Sequence, residues 1–382
     1  MLAIRGGTVV DADGTREADV GVEDGRIVAV GDVGDAEETL DADGRYVAPG
    51  LIDSHVHVSA DGRADFESLR DEPETLIAFR AARNLERALA AGVTTVRDLG
   101  TIGRISLDAR RAVEEGVIAG PRVVPAAKNV VMTGGHGHWF GREADGPHKV
   151  RKAAREQLKA GAEVVKCMAT GGVLTQGAVT GAPELTPEEL AALVDAAGAK
   201  GVPTAAHCHG AQGIKNAVRA GIDSVEHGSF MDREAAELMA EHGTYWVPTC
   251  SALHGICDAP DDAGIPDWAV EKGREAEDAF QDAWDHALDA GVLIAMGTDA
   301  GTPLNRHAEI PREMTYMVEY GLDPERALEA ATVNAADLLG LDDVGRVAEG
   351  HRADLVLLDD DPSADASAWQ GPEAVLSSGG VA

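Results

Sequence analysis

Six residues have types suited to one task, the gripping of metal ions: His55, His57, Lys166, His207, His227 and Asp299. His55 and His57 stand one residue apart. They follow the apolar pair Leu51-Ile52 behind the turn dipeptide Pro49-Gly50. Side chains alternate along a strand, so both imidazoles share a face and can hold one ion. In isolation, two hydrogen-bonded surface histidines would be the plainer reading. Here the pair opens a series, because His207, His227 and Asp299 each close a later apolar run. Four imidazoles and a carboxylate suit zinc, manganese or a related ion. Lys166 follows Val164-Val165 in an apolar run, where an unpaired ammonium is costly. Burial lowers a lysine pKa. The neutral amine can take up carbon dioxide as a carbamate, an anion able to bridge two metals. A lysine paired with Asp98 or Asp299 is the alternative.

The elements that must position these groups follow a simple unit of Ala-rich helix, glycine and strand. Helix ends meet strand starts at Gly92, Gly161, Gly201, Gly221, Gly243 and Gly291. Glycine is the usual residue where a chain leaves a helix left-handed. The helix beginning near Pro73 is expected to bury Leu76, Ile77, Phe79, Leu85 and Leu89 on one stripe. Eight strands are expected, at 51–58, 93–99, 123–131, 163–169, 203–208, 224–228, 245–250 and 293–299. Alternation over about 250 residues argues for an α/β fold, a parallel (β/α)8 TIM barrel spanning 49–340. An open doubly wound sheet fits less well, since no GxGxxG turn follows the first strand. Residues 1–48 read as short strands with Asp-Gly turns, and 352–359 form a matching strand. The two ends, 1–48 and 341–382, are expected to pair as a small β-sandwich domain.

The 382 residues include 66 acidic and 33 basic side chains, a net charge of −33. Such a surface repels nucleic acid and anionic membrane. A simply solvated acidic face is the plainer reading; the sharper one is work in a salt-rich cytoplasm, where screening relieves self-repulsion. No apolar run is long enough for a transmembrane helix, and no secretory leader is visible. Cys167, Cys208, Cys250 and Cys257 lack CxxC spacing and read as reduced thiols of a cytoplasmic protein. The expected partners are a small molecule or dipeptide and further copies of the chain.

Residues 49–57, Lys166, His207, Ser224-Val225-Glu226-His227-Gly228 and Gly297-Thr298-Asp299-Ala300-Gly301-Thr302-Pro303, with the returning segment 345–356, together resemble the amidohydrolase superfamily. Residues 164–173 and Met132-Thr133-Gly134-Gly135-His136-Gly137-His138 are similar to its prolidase and imidazolonepropionase-like branch. That branch includes metal-dependent Xaa-Pro dipeptidases and carboxypeptidases. The resemblance implies that His55, His57 and Asp299 hold one divalent metal, His207 and His227 a second, and carboxylated Lys166 bridges them. Two ions about 3.5–4 Å apart would share a hydroxide and polarise a substrate carbonyl. Asp299 would move the proton to the leaving amine. His136, His138 and His254 are candidates for oxyanion or carboxylate contacts, and His209 for orienting its loop. Where related peptidases often carry a tyrosine after the sixth-strand His-Gly, this chain has Phe230, which cannot donate a hydrogen bond.

The resemblance therefore implies an amide-bond hydrolase acting on dipeptides or N-acyl amino acids. A mononuclear cyclic-amide hydrolase or deaminase is the alternative, and a catalytically dead scaffold a third reading. Superfamily deaminases tend to lack the strand-four lysine and to carry an acid after the strand-five histidine. Here Lys166 is present and Cys208-His209-Gly210-Ala211-Gln212 holds no acid. Dead scaffolds lose ligands, and none of the six is missing. The glycine-rich stretch 170–183 follows Lys166 directly and could be a lid or a mobile surface loop.

Overall fold

A computed structural model of the chain describes residues 1–381. Parallel strands run Leu51–Val56, Val93–Asp98, Arg122–Pro125, Val165–Met168, Thr204–Gly210, Ser224–Phe230 and Tyr245–Val247, with helices between them. The eighth position is a segment, 293–300, held by bridges rather than a continuous ladder. Ile294 pairs in parallel with Trp246 and Ala300 with Val56, which closes the barrel. The Asp299 amide donates to the His55 carbonyl at 2.7 Å across this seam.

Two expected strands come out differently. The run 123–131 is split into Arg122–Pro125, paired with the second barrel strand, and Val130–Val131, paired with the fourth. Ala127 sits between them at φ 59°, a left-handed turn that ends the first ladder. The run 245–250 stops at Val247, because Thr249 also turns left-handed (φ 54°) and the helix Cys250–Cys257 begins.

Helix ends follow the glycines. Gly161, Gly221, Gly243 and Gly291 are all left-handed caps. The helix Glu74–Ala90 corrects one expectation. It buries Ile77, Ala81, Asn84, Leu85, Ala88 and Leu89, while Phe79 is 76% exposed and Leu76 42%. At 100° per residue Phe79 lies about 200° from Ile77, so one stripe cannot hold both.

The two chain ends share one six-stranded sheet. Its order runs Gly380–Val381, Ala374–Ser377, Leu355–Leu358, Tyr46–Pro49, Thr8–Asp11, Gly14–Glu17. A second sheet, built from Leu2–Arg5, Asp19–Glu23, Arg26–Gly31 and Glu38–Asp41, packs on it. Ile4, Val20 and Ile27 from one and Val9, Val47, Leu355 and Leu376 from the other form a common apolar cluster, so the pair is a β-sandwich. Among the described residues no helix is long and apolar enough to cross a membrane, and the four cysteines form no disulfide.

Candidate active site

The carboxyl ends of the barrel strands open onto a cleft. His55, His57, Lys166, His207, His227 and Asp299 all line it, although they come from five separate strand ends. Backbone turns aim several of them. His227 (φ 69°) and Asp299 (φ 59°) are left-handed non-glycine residues, and Thr249 beside them is a third. Such conformations cost about 1–3 kcal/mol each and persist where packing over-determines them. Gly228, also left-handed, is needed: a Cβ there would lie 2.6 Å from the Trp246 indole nitrogen, which donates to the His227 carbonyl at 2.9 Å.

Asp299 Oδ1 stands 3.4 Å from His55 Nε2 and 3.2 Å from His57 Nε2. The His-x-His pair and the eighth-strand carboxylate thus meet at one point. Four of the histidines are held from behind through Nδ1. His55 bonds Glu226 at 2.8 Å, His57 the Gly100 carbonyl at 2.8 Å, His227 the Thr249 hydroxyl at 2.7 Å, and His209 the Ser229 hydroxyl at 2.9 Å. The Nε2 atoms are left to face the cleft. His227 also lies in two tight groups, one with His55 and Asp299, the other with His207 and His209. Burial pushes His55, His207 and His227 towards the neutral form, whereas for His57 burial is outweighed by Asp299 and Asp98, which raise its pKa. His55 falls to about 4, with the Lys166 charge adding to the effect, and His207 and His227 fall well below their usual value. Neutral imidazole is the form that coordinates a cation.

Lys166 is fully buried, and its Nζ has no hydrogen-bond partner. Burial lowers its pKa. The pairing with Asp98 or Asp299 that the sequence left open is not formed. Asp98 instead holds the Val58 and Gly100 amides. His207 Nε2 is buried without a hydrogen bond as well, and Asp299 Oδ1 has only the two imidazole nitrogens beside it. Two orphaned polar atoms in one cleft cost several kcal/mol together unless something fills the space between them.

Glu226 has a role beyond a passive neighbour. Burial alone would raise its pKa, but Arg97, Lys166 and His55 hold it down at about 2. Arg97 Nη2 donates to it at 3.0 Å and the Ser224 hydroxyl at 2.6 Å. The carboxylate is thus fixed as an anion behind His55.

Of the remaining candidates, His136 lines the cleft. Its ring stacks 4.4 Å from His207, and its Nδ1 lies 2.8 Å from the Thr175 hydroxyl. His138, His254 and Phe230 do not line it. His138 is exposed, with Nδ1 on the Gly135 carbonyl. His254 faces a separate groove, stacked 4.1 Å from Tyr316 and paired with Asp258. The helix that carries it presents Ala252, Leu253 and Ile256 to the cleft instead. Phe230 packs against the apolar core behind the site. Sequence reading missed the apolar walls. Phe66, Trp139 and Phe140 meet edge to face on one side, with Leu253, Ile256 and Phe280 also lining the cleft. No spacing rule marks them, since they come from loops and helices far apart in the chain. Val173, Leu174 and Thr175 of the glycine-rich loop also line the cleft.

The amidohydrolase family model matches residues 46–379. Ochratoxinase of Aspergillus niger is 34% identical over 360 residues, covering 86% of this chain and 73% of its own length. A crystal structure of a Xaa-Pro dipeptidase with methionine bound in its active site superimposes with a TM-score of 0.94 at 33% identity, covering 100% of this chain and 99% of that one. A prolidase complexed with N-methylphosphonate-L-proline gives 0.93 at 31% identity, with the same coverage. The cluster of imidazoles, lysine and carboxylate at the barrel mouth therefore sits in a chain that belongs to the amidohydrolase family, in its prolidase-like branch, and that is a hydrolase of amide bonds.

Proposed function

We propose that the chain cleaves an amide bond in a dipeptide or N-acyl amino acid, with two divalent cations, zinc or manganese, as resident cofactors. The observation that carries the reading is one buried cluster: Lys166 Nζ and His207 Nε2 without partners, beside an Asp299 Oδ1 that faces the His55 and His57 Nε2 atoms at 3.4 Å and 3.2 Å. Residues of these types fit a metal pair. His55, His57 and Asp299 would hold one ion, His207 and His227 the other, and a carbamate on Lys166 would join the two halves. When bound, such a pair supplies acidified water and a Lewis acid for the substrate carbonyl.

The chain's own residues do the rest. Asp299 Oδ1 is the group placed to take a proton and return it to the leaving amine, as base and then acid. Glu226, Gly100 and Thr249 keep the ligand imidazoles aimed and in one tautomer. His136 and His209 line the cleft as candidate contacts for a substrate oxygen. The walls of Phe66, Trp139, Phe140, Leu253 and Phe280 exclude water and take apolar side chains. The methionine in the active site of the dipeptidase neighbour agrees with that preference.

The test is a screen of dipeptides and N-acyl amino acids against enzyme loaded with zinc or manganese, with metal counted by elemental analysis. Turnover of apolar substrates with two ions per chain is expected. Full activity with one ion per chain would overturn the binuclear reading in favour of a mononuclear cyclic-amide hydrolase or deaminase.

A further inference from the structure

Residues 170–183 fold back on themselves over the cleft. Thr170 bridges Pro183 and Gly171 bridges Thr180, so the loop is closed at its base. Its outer part, 172–178, has few bonds of its own. There the carbonyls of Gly172, Thr175 and Ala178 converge on one cation from elsewhere in the chain. Lys272, on the helix Asp267–Ala290, places Nζ 3.3 Å, 2.9 Å and 2.6 Å from these three oxygens. An ammonium has three protons, and three carbonyls take them all. In a chain with twice as many acids as bases, this lysine makes its hydrogen bonds to backbone rather than to a carboxylate.

The same loop grips His136. The Thr175 hydroxyl lies 2.8 Å from His136 Nδ1 and accepts from the Gly137 amide at 3.3 Å. The Glu184 carboxylate, just past the loop, accepts from the His136 amide at 2.9 Å. The His136 ring is pressed on Gly172, where an added Cβ would fall 2.5 Å from ring atoms. The His136 ring also lies 4.4 Å from that of His207, tilted by 31°. A continuous chain of contacts thus runs from Lys272 through the loop carbonyls and Thr175 to a ring in the cleft.

We propose that Lys272 is a positioning residue: it clamps the 172–178 loop closed as the roof of the cleft and, through Thr175, sets the ring of His136 against the substrate. The inference rests on the cleft being where the amide bond is cleaved. Nothing in the clamp itself depends on substrate, so the two can fail separately. Lys272→Met keeps the aliphatic stem and removes the donors. Lys272→Arg keeps donors on a differently shaped head.

The experiment is amide hydrogen exchange on the full-length, metal-loaded enzyme without substrate, followed by kinetics on an apolar dipeptide. In Lys272→Met, exchange at 172–178 and at 135–138 is expected to rise by about tenfold, with the melting temperature unchanged within about 2 °C. The specificity constant is expected to fall by about tenfold, with KM rising and metal content constant, and Lys272→Arg to recover to within about threefold of the original. Unchanged protection at 172–178 in Lys272→Met would overturn the clamp. A loosened loop with unchanged protection at 135–138 would overturn the link to His136. Loss of activity in the unsubstituted enzyme on every amide, with the exchange result intact, would count against the proposed substrates and not against the clamp.

Discussion

A single side chain, Lys166, concentrates the chemistry of the cleft. A buried amine without a partner is expensive, and the cost is relieved when the nitrogen becomes part of an anion among cations. Lys166→Ala is therefore expected to lower kcat/KM on the order of 10³-fold, or about 4 kcal/mol, with loss of bound metal by elemental analysis. Retention of full activity would remove the basis of the proposed mechanism. Glu226 acts one step further out. Glu226→Gln keeps the shape but leaves Arg97 without its counter-charge and His55 with a weaker acceptor. A loss of about 10–100-fold in metal affinity or activity is expected, read by metal titration.

At the scale of elements, the site depends on how strands end rather than on how they run. The left-handed residues His227, Thr249 and Asp299 sit on three segments that line the cleft, and Ala127 follows the end of the Arg122–Pro125 ladder. The neighbouring helices are ordinary by comparison. Pro187–Gly198 opens with a capping box in which the Thr186 hydroxyl accepts from the Glu189 amide and the Glu189 carboxylate accepts from the Thr186 amide. Thr186→Ala is expected to cost about 1 kcal/mol by chemical denaturation, with kcat unchanged. A drop in kcat would mean that this helix start reports to the nearby glycine-rich loop.

Across the whole molecule, the two ends of the chain are tied by charge as well as by sheet. Asp11 is buried and accepts from the Arg16 guanidinium at 2.9 Å and from the Val347 amide at 3.0 Å, while Arg16 also donates to the Val347 carbonyl. Burial alone would raise the Asp11 pKa, but these donors outweigh it and hold it below 3.8. A depressed carboxylate stabilises the fold above its unfolded pKa, and the contribution disappears as pH falls through the folded value. Stability is therefore expected to drop below about pH 4, and Asp11→Asn to flatten that part of the curve, as followed by thermal melts. The surface adds a second dependence. Even with every Lys and Arg paired once, half of the 66 carboxylates would lack a cation. Screening of that repulsion predicts a melting temperature that rises with molar potassium chloride. A flat or falling response would show that the acidic face is only a solvated surface.

Local chemistry was readable because it is periodic. Alternation in Leu51–Val56 put His55 and His57 on one face, glycines marked four helix ends, and apolar runs located most of the barrel strands. The six clustered residues were likewise legible, since the histidines and Asp299 close such runs and Lys166 is a lone charge inside one. Three things were decided only in three dimensions. The first is which side of the helix Glu74–Ala90 turns inward, since its period says only that Ile77 and Phe79 cannot share a side, and packing chose Ile77. The second is which histidines reach the cleft, since His136 does and His138 and His254 do not. The third is the clamp from Lys272 to a loop about 95 residues away in sequence. All three depend on where separate segments meet when the barrel closes, and no pattern within one segment carries that distance.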